Sequence, residues 1–330
     1  MIYPSVILYF IVAAILFLAM LLYIKIADKY NIIDKPNERS SHSNITIRGG
    51  GIVFWLAAFL YTFLPFAFHL SSFALLFFAS LTILSAISLW DDISSLPNII
   101  RIVIHFLVIG ILFYGLEIFR ILPWWQIILA CIFIVGVLNA YNFMDGINGI
   151  TGLYSLAVLV ALQYVNLQIL RFTPPEFINY GILACIVFLF FNFRKDAKCF
   201  AGDVGSMAIS FWIVALLLQL MIKTQSIVWI FFLSVYGVDS IFTILHRLYL
   251  RQDIFKAHQM HFYQVLTNEQ GISHLKISTG YALMQFIICA VIIICYRWYP
   301  SVLWFSGIGM LLLCCGVYLL KFKYNMKTIL

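Results

Sequence analysis

Charged residues are scarce in this chain. Asp, Glu, Lys and Arg make up 10% of its 330 residues, whereas 64% are hydrophobic, and the mean hydropathy is +1.03. No soluble core could hide so much apolar surface, so the composition excludes a soluble globular protein and predicts a polytopic membrane protein. The sequence also lacks internal repeats, low-complexity tracts and any soluble domain. We therefore expect residues 1–330 to form a single membrane-embedded domain.

Cysteine is present but shows no metal-binding spacing. The seven cysteines include no CxxC pair, which argues against the common zinc motifs. Six of them lie within or at the edges of hydrophobic runs, and Cys199 lies in a polar loop that we expect to face the reducing cytoplasm. Disulfides are rare in that compartment, so the sequence predicts free thiols.

Long hydrophobic runs fill most of the chain. Most have roughly the ~20 apolar residues that a helix needs to cross a bilayer. The first run is too long for a removable signal peptide and lacks a basic start and a small-residue cleavage site. The sequence thus predicts an all-α fold with about eleven transmembrane helices. The predicted spans are Val6–Ile26, Gly51–Leu70, Ser72–Trp90, Ile99–Leu116, Trp124–Asn139, Ile150–Leu170, Phe177–Phe193, Val204–Ile222, Ile227–Leu248, Thr279–Tyr296 and Pro300–Leu320.

Lys and Arg are divided unevenly between the two sides that these spans define. With the N-terminus outside, 16 of the 20 basic residues fall in segments after odd-numbered spans. The positive-inside rule places those segments, and the C-terminus, in the cytoplasm. The membrane topology and contact with anionic lipid then explain the net charge of +7, so it requires no nucleic-acid partner. The polar loops on that side are residues 27–49, 91–98, 140–149, 194–203 and 249–278.

Four aspartates lie at the ends of hydrophobic runs on the predicted cytoplasmic side. Charges at such positions are costly and usually functional. Asp91 and Asp92 are adjacent, so one can bind a metal while the other accepts a proton, although a solvated helix end would also explain the pair. Asp203 immediately precedes the eighth span and could either cap that helix or bind Mg²⁺. With Asp145, these residues predict a metal-dependent site at the membrane surface.

The stretch from residue 139 to 148 carries a polar residue at every third position. If it continues the fifth helix, Asn139, Asn142, Asp145 and Asn148 form a slowly drifting stripe along one face. Such a stripe predicts contact with a polar ligand. Hydrogen bonding between helices is the alternative, because amides also serve that purpose in membranes.

The first polar loop combines five basic residues with His42 and three successive glycines, 49–51. Glycine lets backbone N–H groups approach an anion closely, and Arg48 can pair with phosphate through two hydrogen bonds. An ordinary basic loop with a glycine turn into the second span would look the same.

The last polar loop carries His258 and His261, which would share one face of a helix. The sequence offers no third zinc ligand with a convincing spacing, so phosphate contact or support of another side chain is favoured. Asp239 lies near the middle of the ninth span and should face the bundle interior. Arg247, two turns further on, is its nearest candidate partner.

These motifs, in this order, resemble those of the polyprenyl-phosphate N-acetylhexosamine-1-phosphate transferases. That family includes UDP-GlcNAc:undecaprenyl-phosphate GlcNAc-1-phosphate transferases and, more distantly, phospho-N-acetylmuramoyl-pentapeptide transferases. The resemblance runs from about residue 30 to 265. It rests on five segments in register: DKPNERSSH…TIRGGG, the Asp-Asp pair, NAYNFMDGINGI, FN…FAGDVGS and FKA…H.

The resemblance implies a role for each matching residue. Asp91 resembles the acid proposed to deprotonate or orient the lipid phosphate, and Asp203 resembles the principal ligand of Mg²⁺, for which Mn²⁺ is the alternative. The predicted catalytic residues are Asp91, Asp92 and Asp145, and the predicted metal ligands are Asp203 and Asp92. Asn142 and Asp145 match positions that line the nucleotide-sugar cleft. The predicted substrate-binding residues are Asn142, Asn148 at a position implicated in uracil recognition, Asn192 just before the next loop, Phe200 against uracil, and Arg48, His42 and His261 near the substrates. On its own, Phe200 would read as an interfacial anchor.

Two departures from the family pattern indicate which branch of the family this chain resembles. Asn148 stands where many relatives have an acid implicated in uracil recognition. In the last loop only His261 aligns with a histidine cluster whose other members are here Tyr263 and Gln264, and His258 replaces an acid. The departures disfavour the muramoyl-pentapeptide branch and favour the subgroup that makes O-antigen, capsule or similar surface glycans.

The expected reaction transfers an N-acetylhexosamine 1-phosphate from a UDP-sugar to undecaprenyl phosphate and releases UMP. The expected location is the bacterial cytoplasmic (inner) membrane, with the active site facing the cytoplasm, and a homodimer is compatible with the sequence. A cation-coupled transporter is the alternative. Transporters place such charges near the bilayer midplane on broken helices, whereas here only Asp239 is mid-span.

Overall fold

The computed structural model describes residues 4–34, 45–64, 71–94, 96–253 and 258–324. Apart from two very short strands, the regular structure in this part of the chain is helical. The elements are α1 Pro4–Lys29, β1 Ile33–Asp34, β2 Thr46–Ile47, α2 Ile52–Phe63, α3 Ser72–Ile93, α4 Asn98–Gly115, α5 Ile118–Ile121, α6 Trp124–Met144, α7 Ile150–Gln168, α8 Pro175–Asn192, α9 Gly202–Thr224, a 3₁₀ segment Ile227–Leu233, α10 Ser234–Tyr249, α11 Phe262–Asn268, α12 His274–Trp298, a 3₁₀ segment Pro300–Val302 and α13 Leu303–Tyr324.

Nine helical segments within the described ranges are long and apolar enough to cross a membrane. Two shorter apolar helices, Ile52–Phe63 and Ile99–Gly115, lie inside the predicted second and fourth spans. The all-α polytopic membrane fold is therefore confirmed. The predicted second span, Gly51–Leu70, is described only to residue 64, where α2 has already ended.

Several helices extend beyond the predicted spans into segments that the sequence assigned to loops. Helix α3 includes Asp91 and Asp92, α6 runs to Met144, and α12 begins at His274 instead of Thr279. The last loop also contains the helix α11. Hydropathy marks where a helix leaves hydrocarbon, whereas backbone hydrogen bonding continues into the polar interface. The site therefore stands mainly on helix ends.

Helix α9 forms the centre of the bundle. In its most apolar stretch 78% of residues are buried, against 17% for α1 and 22% for α13. The start of α9 lies so close to the start of α2 that a methyl group on Gly51 would overlap the backbone of Gly205. Small residues allow this kind of approach between membrane helices. The close contact brings the first polar loop onto the N-terminus of α9.

A small β-structure joins two polar loops that are distant in sequence. Strands β1 and β2 pair antiparallel, with Ile33 opposite Ile47. Ile47 also bridges Cys199 in parallel, and the Phe200 N–H donates to the Ile47 carbonyl at 2.8 Å. No pattern in these two loops predicts this pairing.

The cysteines confirm one expectation and correct another. All seven are free thiols. The thiol of Cys199, however, is not exposed at the surface of its loop, because it is fully buried under the loop junction, and this burial raises its pKa to about 12.

Candidate active site

Three of the predicted aspartates meet two arginines at one end of the bundle. Arg48 Nε lies 2.7 Å from Asp92 Oδ1, and Arg48 Nη2 lies 3.1 Å from Asp203 Oδ1. Arg101 Nη1 lies 3.1 Å from Asp91 Oδ2, and its Nη2 lies 3.7 Å from Asp203 Oδ2. These residues come from the end of α3, the starts of α4 and α9, and the turn before α2. We call them the aspartate–arginine cluster.

Arg101 is the cluster member that the sequence interpretation missed. It was counted only as a basic loop residue, although its position in the first turn of α4 faces the ends of α3 and α9. A basic residue at a helix start, where the dipole disfavours it, was the available signal. Arg48, a predicted substrate-binding residue, lies in this cluster between Asp92 and Asp203. Burial opposes the charge on Arg48, but Asp92, Asp203 and Asp34 outweigh it and raise its pKa.

Asp92 is engaged differently from its neighbour Asp91. Its Oδ1 accepts a hydrogen bond from the Asp203 N–H at 2.9 Å, and its Oδ2 accepts one from the Val204 N–H at 3.2 Å. The Asp92 side chain is 0% exposed, compared with 10% for Asp91 and 17% for Asp203. Asp92 therefore supplies, from another helix, the negative cap that the N-terminus of α9 needs.

The three glycines form a junction with the loop before α9. The Gly50 N–H donates to the Phe200 carbonyl at 2.8 Å and the Gly51 N–H donates to the Ala201 carbonyl at 3.0 Å. Gly49 has φ +80°, which a larger residue would rarely adopt. The Gly50 and Gly51 amides do not hold an anion as the sequence suggested, because both donate hydrogen bonds within this junction. The alternative, a glycine turn into α2, is what the structure shows.

The polar stripe does not exist as one surface, because α6 ends at Met144. Asn139 donates to the Val135 carbonyl of its own helix at 2.8 Å. Asn142 donates to Ser206 Oγ, one turn into α9, at 3.2 Å. Asn142 thus reaches the aspartate–arginine cluster, whereas Asn139 does not.

Asp145 follows the last residue of α6 and is partly exposed. Burial, followed by the negative charges of Asp203 and Asp92, raises its pKa from 3.8 to about 7. A carboxyl group whose ionisation is opposed by two neighbouring carboxylates would be stabilised as an anion by a cation placed among them.

Asn148 and Asn192 hold the loop that leads to Asp203. The Asn148 amide donates to the carbonyls of Arg194 at 2.8 Å and Lys195 at 3.1 Å. Asn192 accepts from the Gly149 N–H at 2.7 Å and donates to the Cys199 carbonyl at 2.8 Å. Both asparagines are buried. Their predicted contacts with substrate stay predictions, and the geometry gives each a supporting position beneath the loop.

The other predicted substrate residues are placed as follows. Phe200 is partly buried beside the glycine junction, between Cys199 and α9. His42 lies outside the described residues. His261 is buried and begins α11, with its Nδ1 3.2 Å from Asp239 Oδ1.

Two predictions about the last loop were wrong. Asp239 does not pair with Arg247, because among the described residues its partners are His261, Tyr281, Thr243 and the Phe262 N–H. His258 and His261 do not share a helical face, since His258 precedes α11 and His261 caps it. Their rings are nevertheless adjacent, with centroids 5.0 Å apart. Burial, followed by the charge of His261, lowers the pKa of His258 to about 3.

The donor set of the cluster suits a hard cation shared with phosphate. Within the described ranges, no group of three or more His, Cys, Asp or Glu side chains could enclose a metal ion. Mg²⁺ commonly takes only one or two protein carboxylates and completes its shell with phosphate oxygens and water. Asp91 and Asp203 are partly exposed, and Asp91 uses only Oδ1 to accept a backbone N–H, from Leu96 at 2.7 Å. They fit that use better than Asp92, which is buried and accepts backbone N–H groups with both of its oxygens.

Comparison with known proteins points to one family. The sequence model of glycosyl transferase family 4 matches residues 73–221. That stretch contains all four of the predicted site aspartates, whereas Arg48 and His261 lie outside it.

Three relatives are a little over a quarter identical to this chain within the aligned regions. A probable undecaprenyl-phosphate N-acetylglucosaminyl 1-phosphate transferase of Bacillus subtilis is 28% identical over 76% of this chain and 73% of the relative. An undecaprenyl-phosphate alpha-N-acetylglucosaminyl 1-phosphate transferase of Escherichia coli K12 is 27% identical over 63% of this chain and 61% of the relative. A phospho-N-acetylmuramoyl-pentapeptide-transferase of Dictyoglomus thermophilum is 28% identical over 57% of this chain and 63% of the relative. The match thus spans less than two thirds of the last two relatives.

Proposed function

Because this chain belongs to glycosyl transferase family 4 and is a sugar-1-phosphate transferase of that family, we propose that it transfers an N-acetylhexosamine 1-phosphate from a UDP-sugar to undecaprenyl phosphate. The lipid phosphate oxygen attacks the sugar-bearing β-phosphorus, the bond to the bridging oxygen breaks, and UMP leaves. The product is a polyprenyl diphosphate sugar.

The observation that carries this proposal is the aspartate–arginine cluster. Two polyanionic substrates must meet, and the site must offset their mutual repulsion. Arg48 and Arg101 supply two fixed positive charges that can pair with phosphate oxygens. When Mg²⁺ is bound by Asp203 and Asp91, it screens charge and polarises the β-phosphate.

The aspartates differ in their tasks in this scheme. Asp91, which would also hold the metal ion with Asp203, orients the lipid phosphate, which needs little activation as a nucleophile at neutral pH. Asp92 fixes the N-terminus of α9 and thereby the position of Asp203. Asp145 adds negative charge beside the metal and is predicted to line the nucleotide-sugar cleft with Asn142. Phe200, three residues before Asp203, is proposed to stack on uracil.

We further propose that the cluster faces the cytoplasm of a bacterial inner membrane and that the product enters surface-glycan synthesis, such as that of O-antigen or capsule. The distribution of Lys and Arg supports this orientation. Cysteine accessibility tags placed in the 171–176 and 194–198 loops should report opposite sides of the membrane, with the second in the cytoplasm. Labelling of both from one side would contradict the orientation.

The decisive experiment uses the purified full chain in detergent. UMP release from a UDP-sugar should require both undecaprenyl phosphate and Mg²⁺. Comparing UDP-GlcNAc, UDP-GalNAc and their 6-deoxy derivatives would identify the sugar. A cation-coupled transporter would release no UMP under any of these conditions, and that result would overturn the proposal.

A further inference from the structure

A second carboxylate lies in the bundle away from the aspartate–arginine cluster, and it is surrounded by hydrogen-bond donors. Asp239 Oδ2 accepts from the Tyr281 hydroxyl at 2.6 Å. Its Oδ1 accepts from the Phe262 N–H at 3.0 Å and the Thr243 hydroxyl at 3.2 Å, and lies 3.2 Å from His261 Nδ1. All four side chains are buried. A carboxylate that accepts this many hydrogen bonds is held in its ionised form.

The hydrogen bonds behind Thr243 all point toward Asp239. Lys321 Nζ can only donate, and it donates to the Tyr318 hydroxyl at 2.9 Å. The Tyr318 and Thr243 hydroxyls lie 3.0 Å apart. Because the Thr243 proton is directed to Asp239, Tyr318 must donate to Thr243. A buried lysine on α13 is therefore linked to the carboxylate by an ordered series of donors.

This arrangement fixes the tautomer of His261. Since Oδ1 of an ionised carboxylate can only accept, Nδ1 of His261 must carry a proton. The other ring nitrogen, Nε2, is buried and has no hydrogen-bond partner among the described residues. An unpaired buried polar atom is costly, and such atoms in native proteins usually have a functional explanation.

His261 lies beside the end of α6 that leads to Asp145. Its ring stacks on that of Tyr263, with centroids 5.8 Å apart, and is 6.2 Å from the ring of Phe143. The Tyr263 hydroxyl donates to the Phe143 carbonyl at 2.9 Å. His261 therefore packs against the C-terminal end of α6, which leads to Asp145 in the candidate site.

We propose that Asp239, with Tyr281 and Thr243, is a positioning unit that holds the imidazole of His261 so that Nε2 is directed to a phosphate oxygen of a substrate. This inference rests on the proposed function. Asp239 and its donors act through His261 and do not touch the substrate. A protonated Nε2 donates a charge-assisted hydrogen bond to the phosphate, and the Asp239 carboxylate stabilises that imidazolium.

A double-mutant cycle in the full-length protein tests whether Asp239 acts through His261. Asp239→Asn and His261→Gln should each lower kcat by about 10–100-fold, the usual cost of losing a partner that orients a functional histidine. The double variant should be within about twofold of the slower single variant, because the two residues act as one unit. Losses that multiply would overturn the proposal.

Two further variants separate positioning from general damage to the bundle. Tyr281→Phe removes one donor and leaves the carboxylate, so it should give a smaller loss of kcat than Asp239→Asn. Ser240→Ala, which removes a buried neighbouring hydroxyl on α10, should leave kcat and KM unchanged. An equal loss in Ser240→Ala and Asp239→Asn would contradict the positioning role.

Histidine ¹⁵N spectra of the labelled full chain give a readout without turnover. The His261 signal, identified by its loss in His261→Gln, should show a protonated Nδ1 in the wild type and lose that signature in Asp239→Asn. Addition of undecaprenyl phosphate alone, or of UDP alone, should shift Nε2 and so identify which phosphate it meets. The inference would be overturned if the His261 tautomer were unchanged in Asp239→Asn. It would also be overturned if neither undecaprenyl phosphate nor UDP shifted the Nε2 signal. A wild type that releases no UMP would refute the proposed function, while these spectra would still decide the tautomer.

Discussion

The two groups of acidic residues in this bundle use the same side chain in opposite surroundings. The aspartate–arginine cluster is partly exposed, and its carboxylates face two guanidinium groups. Asp239 is buried among a histidine, two hydroxyls and a backbone N–H. Carboxylates of the first kind can exchange an arginine partner for a metal ion with little rearrangement, and the released arginine can then pair with a phosphate group. A carboxylate of the second kind cannot change partners without leaving buried donors unpaired. The difference separates residues that handle charge from a residue that fixes geometry.

The largest expected effect is on turnover at the exposed cluster. Asp203→Asn should abolish measurable UMP release and leave the melting temperature near that of the wild type, because an amide cannot supply the charge that holds Mg²⁺. Steady-state assays over a range of Mg²⁺ concentrations measure this. Wild-type activity at limiting Mg²⁺ would remove Asp203 from the metal site and erase the distinction between the two groups.

The reverse pattern is expected at Asp239. Asp239→Asn places an amide NH₂ among groups that already donate, so a buried donor is left unpaired at a cost of about 1–3 kcal/mol. For a chain of this size that corresponds to a fall in melting temperature on the order of 5 °C. Thermal unfolding of both asparagine variants in the same detergent makes the comparison. An equal fall in Asp203→Asn would show that both groups are structural.

The stability of the folded protein should depend on pH through the ionisation of Asp145. Its pKa is raised from 3.8 to about 7 in the folded protein, so its contribution to stability is present below pH ~4 and is lost as the pH rises through about 7. Asp145→Asn should therefore raise the melting temperature at pH 8 without divalent cations and have little effect at pH 4, while reducing activity. A variant that is less stable than the wild type at pH 8 would show that the Asp145 anion is already well paired.

The smallest effect on chemistry is expected at Asn148. Asn148→Asp replaces an amide that donates to two carbonyls with a group that can only accept. The expected result is a modest loss of stability and a change in KM for the UDP-sugar of no more than about tenfold, with kcat less affected. Asn142→Ala, which removes a contact to α9, is the matched variant. A complete loss of kcat in Asn148→Asp would place this residue in the chemistry.

The membrane fold and the grouping of Asp91, Asp92 and Asp203 could be predicted from the sequence, for different reasons. Long apolar runs report a bilayer directly, and charges at the ends of runs on one side must lie near one another. The separate use of Asp91 and Asp92 could not be predicted, because it depends on where α9 begins relative to α3. The partner of Asp239 was misassigned for a similar reason. The spacing along α10 indicated Arg247 as the partner, whereas His261 and Tyr281 contact Asp239 from two other elements.

The loop junction also determines when the site can form during synthesis. Arg48 pairs with two aspartates that are synthesised after it. Asp92 is at the end of α3, whereas Asp203 is at the start of α9, 155 residues after Arg48. Until the ribosome has delivered α9, the Asp92 carboxylate has no helix to cap and Ile47 has no Cys199 with which to pair. The site can therefore form only after α9 has been inserted, late in the translation of the chain. Substitutions at Gly51 or Gly205, which block this late closure, should therefore yield chains that insert but are removed by quality-control proteases.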